Sequence, residues 1–134
     1  MRRSAPSPKR VIPTLLFITF LLLSACTPSK ADAERIALEE FKEQNARVAD
    51  LLAARFDPKA DPVMALQADA LRNNIIEQNE RAEVLKSIRH EDYWQVVVTI
   101  PTPDAVPKMD VLVYDDGRVV IPAVEEMLEK IAVE

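Results

Sequence analysis

The side chains of this chain that could do chemistry are few. One cysteine, Cys26, and one histidine, His90, make up the whole thiol and imidazole inventory, and Ser29 and Ser87 are the only serines after residue 25. His90 lies in "RHED" beside Glu91 and Asp92, where it could titrate or join a metal site. A metal centre would want a second His or Cys ligand, and the chain has neither to spare, so an exposed polar turn is the simpler reading. Asp115 and Asp116 could hold a cation or act as an acid–base pair. Adjacent residues in a tight turn point apart, however, and "DDG" is the composition that a turn itself asks for. One glycine, Gly117, cannot build a phosphate-cradling loop. No catalytic set and no metal site are expected. Tyr93 and Trp94 remain as a candidate partner contact. Neighbours in a strand face opposite sides, so one ring should enter the core and the other lie on the open face.

Cys26 is the residue whose surroundings are most informative. Ahead of it, "MRRSAPSPKR" carries four basic residues and no acid, and "VIPTLLFITFLLLSA" is apolar almost throughout. A basic head, an apolar run and small residues before a cut point describe a secretory signal peptide. Val11 to Ala25 is 15 residues, short of the roughly 17–25 that a permanent spanning helix needs. A disulfide within the chain is excluded, because there is no second cysteine.

"LSAC", Leu23 to Cys26, resembles the lipobox of bacterial lipoproteins: an aliphatic residue, two small ones and then cysteine. The resemblance implies cleavage between Ala25 and Cys26, with diacylglycerol on the Cys26 thiol and an N-acyl chain on its freed amine. No other cofactor is expected. Two or three chains would hold the protein almost permanently, since each buried CH₂ contributes roughly 0.8 kcal/mol. Thr27 stands where this family's inner-membrane proteins carry aspartate. The expected location is therefore the periplasmic leaflet of the outer membrane in a Gram-negative host, and otherwise the outer face of the cytoplasmic membrane.

Removal of residues 1–25 would leave all 22 acids but only 13 of the 17 Lys and Arg, a net charge near −9. So acidic a body repels phosphate backbones, which argues against nucleic acid as a partner. The expected partners are the membrane, through the lipid, and another envelope protein.

The elements that must position these residues follow from periodicity. Ser29 and Asp32 form a capping-box pattern. The helix predicted from about residue 30 to 56 carries Leu38, Phe41, Val48, Leu52 and Phe56 on one stripe. "DPKADP" breaks the chain, each Asp-Pro pair placing a cap before a proline. A second helix then follows through Met64, Ala68, Leu71, Ile75 and Ala82, weakened by Asn73, Asn74 and Asn79. "EVLKSIR", "YWQVVVTI", "MDVLVY" and "RVVI" read as strands bounded by turns, with Gly117 at the turn that needs positive φ. Pro122 opens a closing helix with Val124, Met127, Leu128 and Ile131 on one face. These elements predict an α+β fold with a signal peptide at 1–25, a lipidated tether at 26–30 and a single domain at 31–134. Two helices come first, then an antiparallel meander of three to four strands, then a C-terminal helix.

"AERIALEEFKEQ" followed by strands ending in "VLVYDDGRVV" is similar to the PepSY type of small extracytoplasmic domain, in which a helix backs a meander. Residues 57–82 have no place in that simple pattern. The resemblance implies an alternative role in restraining a periplasmic peptidase or sensing the envelope, with no residue assigned to it. The main expectation is a lipid-anchored envelope protein that binds or scaffolds without catalysis.

Overall fold

The protein was analysed as a computed structural model, which describes residues 27–133. Residues 1–26, on which the signal-peptide and lipidation expectations fall, lie outside the described residues. The order of elements is α1 (Lys30–Ala53), α2 (Pro62–Asn79), β1 (Glu83–Arg89), β2 (Tyr93–Thr99), β3 (Met109–Tyr114), β4 (Val119–Val120) and α3 (Pro122–Val133). The four strands form one antiparallel sheet in sequence order, a meander. The fold is α+β.

Helix α1 starts where its cap is written. Ser29 Oγ accepts from the Asp32 N–H at 3.2 Å, and Asp32 Oδ2 accepts from the Ser29 N–H at 3.4 Å. The two satisfy N–H groups that a helix start leaves without partners. At the other end regular helix stops at Ala53, earlier than the spacing predicts, and Arg55 and Phe56 close tighter turns onto Leu52 and Ala53. The cause is Pro58, which bars the residue before it from helical backbone. The two Asp-Pro pairs then act differently. Asp57 Oδ1 accepts from the Lys59 N–H at 2.9 Å and makes a turn, while Asp61 caps α2 by accepting from the Met64 N–H at 3.1 Å.

One face of the sheet meets α1 and α3. Val96, Val98, Val111 and Val113 are buried there with Ala33, Ala37, Phe41, Ile121 and Val124. Each such valine contributes about 2 kcal/mol by leaving water. Ala33 and Ala37, not the larger members of the predicted stripe, are the most deeply buried residues of α1. Small side chains let the helix axis approach the valine layer closely; Leu38 and Leu52 pack at the margin.

A helix of 24 residues is about 36 Å long, whereas a seven-residue strand is about 23 Å. Helix α1 therefore outruns the sheet, and α2 packs mainly against α1 rather than on the strands. The second helix is a partner for the overhang. Strand β1 carries an irregularity that its sequence did not announce: Val84 pairs with Val98 and Lys86 with Val97, so Leu85 is the extra residue of a bulge.

Candidate functional site

Tyr93 and Trp94 face opposite sides of β2, as alternation requires. Trp94 turns to the helix side and packs at the margin of the core, where its Nε1–H donates to the Pro28 carbonyl at 3.1 Å. Pro28, Ser29 and Lys30 thus belong to the packed body, and the segment between the body and Cys26 is Thr27 alone. No sequence signal links position 28 to position 94, because the contact arises only when α1 is laid across the sheet.

Trp94 also joins an ionic pair. The Arg89 guanidinium lies 5.5 Å from the centre of its ring and grips Asp115 with both Nη atoms, at 2.8 and 2.7 Å. That fork holds the Asp115 carboxyl below the usual carboxylate range, chiefly through the Arg89 hydrogen bonds. Asp116 points elsewhere. It accepts from the Arg118 backbone N–H at 3.0 Å and from Arg118 Nε at 2.8 Å, and these bonds lower its pKa too. The two aspartates serve two different arginines, so they converge on no common proton or cation. Gly117, at φ 90°, closes the same turn with its N–H on the Tyr114 carbonyl at 3.1 Å.

Among the described residues, no helix packs on the other face of the sheet. Across one end of this face runs a stack of planar groups. The His90 ring lies on Tyr93 with centroids 4.5 Å apart and planes 15° apart, and Tyr93 meets Tyr114 at 5.1 Å. The Arg118 guanidinium then covers Tyr114 at 4.5 Å. His90 is oriented by Gln95, whose Oε1 is 2.9 Å from Nε2. Among the described residues no three His, Cys, Asp or Glu side chains gather as a metal would need. Beyond the stack, register places Ile88, Leu112 and Val120 on this face, giving a half-exposed apolar surface.

A concavity elsewhere was not foreseen. Between α1 and α2 lies an apolar cleft of about 240 Å³, floored by Ala49 and Leu52 and rimmed by Phe56, Met64, Leu71 and Ile75. Four members of the stripe read from the α2 sequence, Met64, Ala68, Leu71 and Ile75, line this cleft, with Met64 40 % exposed and Leu71 59 %, whereas Ala82 lies past the helix end at Asn79 and packs against the core. Arg72 stands at its edge, paired with Asp50. The remaining sequence candidates are structural. Ser29 caps α1, and Ser87 Oγ donates to Glu34 at 2.7 Å, tying β1 to α1.

Compared with family models, characterised proteins and solved structures, the chain matches none of them. No described helix is long and apolar enough to cross a membrane.

Proposed function

We propose that this chain is a lipid-anchored cell-envelope protein whose folded body binds or scaffolds another envelope protein without catalysis. Cys26 carries diacylglycerol and an N-acyl chain after cleavage behind Ala25, and the body sits at the periplasmic leaflet of the outer membrane of a Gram-negative host. The basic head, the apolar run and "LSAC" support the anchor. Tyr93 on the helix-free face supports the binding role, and that single observation carries it: a stacked aromatic row beside Ile88, Leu112 and Val120 is surface that the fold leaves half-exposed. Trp94, on the opposite face, donates its ring N–H to Pro28, so this reading rests on Tyr93.

The alternative, a PepSY-like peptidase inhibitor or envelope sensor, would draw on a pocket between helix and sheet. Ala33, Ala37 and four valines fill the centre of that space, and what remains is a cavity of about 180 Å³ at one end, between Phe41 and Asn45 of α1 and Val98 and Met109 of the sheet.

The test has two arms. Cys26→Ser should abolish cleavage and lipid attachment, read by mass spectrometry of the N-terminus; unchanged processing overturns the anchor. Tyr93→Ala should abolish recovery of a partner that the wild-type chain pulls from detergent-solubilised envelope, with folding checked by circular dichroism. Equal recovery by both forms removes Tyr93 from the contact.

A further inference from the structure

The chain runs into the body from Cys26 at one end, and the neighbours of that point are identifiable. Pro28 is bonded to Trp94 near the start of β2. At that same end the two hairpin turns touch, since the Asp115 N–H donates to the Asp92 carbonyl at 3.0 Å. Only Thr27 separates Pro28 from Cys26, so the two Cα atoms lie within about 7 Å. Helix α1 runs from this end, and Ala49, where the α1–α2 cleft begins, is about 30 Å farther along it.

We infer that the body stands upright on the bilayer, with the β1–β2 and β3–β4 turns against the headgroups, the strands along the membrane normal and the cleft pointing away. This rests on the lipid reading of Cys26. At the lower end Asp115 and Asp116 are each paired with an arginine, and Glu91 and Asp92 add two carboxylates in the β1–β2 turn, so the short tether and not charge sets the pose. In this pose the helix-free sheet face looks sideways, parallel to the membrane. A partner docking on Tyr93 is then one that is itself held at the membrane surface, and the cleft is left for the space beyond.

The lone cysteine makes the test clean, because a thioether at Cys26 does not react with maleimides. Glu91→Cys, in the β1–β2 turn, and Lys59→Cys, in the α1–α2 loop, are each labelled with a fluorophore in the processed full-length product. The labelled proteins are placed in vesicles of phosphatidylethanolamine and phosphatidylglycerol containing a nitroxide-headgroup lipid, which quenches only at short range. Quenching at position 91 should exceed that at 59 by roughly fivefold or more, given the length of α1 between them. A Gly-Ser spacer of about ten residues inserted between Thr27 and Pro28 should erase the difference. Equal quenching, or stronger quenching at 59, overturns the upright pose, and a difference that survives the spacer overturns the short stub as its cause. Two reactive thiols per chain instead of one overturn the lipid reading, and labelling stoichiometry reports that separately from the quenching.

Discussion

Asn79, the last residue of α2, is buried with its side chain fully engaged: Oδ1 accepts from Asn45 Nδ2 at 2.7 Å, and Nδ2 donates to the Lys42 carbonyl at 3.2 Å. The pair joins α2 to the middle of α1 at the level where the chain turns into β1. A residue poor at extending helices thus ends one helix and bolts it to another. In a small body whose second helix rests mainly on the first, such a bond helps decide whether α2 packs in one register.

Asn79→Ala should therefore destabilise the domain by about 1–3 kcal/mol, because it leaves the Asn45 amide and the Lys42 carbonyl without their partner. Asn73→Ala, on the exposed side of the same helix, should do the opposite and stabilise by about 0.5 kcal/mol through helix propensity. Urea denaturation of both variants measures the contrast. Equal effects would mean that the buried amide does not act as a lock.

Thr99 offers a change of the other sign. It is 2 % exposed at the end of β2, and its Oγ1 is buried without a hydrogen-bond partner. Thr99→Val keeps the branched shape that suits a strand and removes the unpaired hydroxyl. The expected result is a gain of about 1 kcal/mol, read as a higher urea midpoint at unchanged slope. A loss of stability would show that the hydroxyl has a partner that matters.

The acid limb of stability should come from paired carboxylates. Asp115 is held low by Arg89, Asp116 by Arg118, Asp32 by Ser29 and Glu126 by Lys130. A carboxyl whose folded pKa is depressed adds stability that is fully present above its unfolded value and is lost as pH falls toward its folded one. Stability should thus be level from pH 7 to about 5 and decline below about 4, the ordinary carboxylate range. Asp115→Asn should flatten part of that decline in pH-dependent thermal melts, and an unaltered acid limb would exclude the Arg89 pair as a contributor.

Much of the framework was legible from local pattern. The capping box at Ser29, the strand spans of β1 and β3, the Gly117 turn and the start of α3 at Pro122 all depend on neighbours within a few residues, and their types announce them. The core of α1 was read less well. Of its stripe, Phe41 and Val48 are in the core, Leu38 and Leu52 pack at its margin and Phe56 is exposed, whereas Ala33, Ala37 and Ala49 lie deepest, since hydrophobicity ranks residues by size and close approach to a sheet selects small ones. The β1 bulge at Leu85 was invisible because nothing in "EVLKSIR" departs from strand composition.

By itself, the sequence determined where each element begins and ends to within a few residues, that the body is acidic, and that the one thiol follows an apolar run at position 26. Those are local properties, set by backbone sterics, caps and residue type. Only the tertiary structure decided that Trp94 holds Pro28, that Arg89 takes Asp115 while Arg118 takes Asp116, and that α2 rests on the overhang of α1 and leaves a cleft. These pairings join residues up to 66 positions apart. Side chains so far separated in the chain meet only through the packing of one long helix on a shorter sheet, and no short-range preference encodes which of them will.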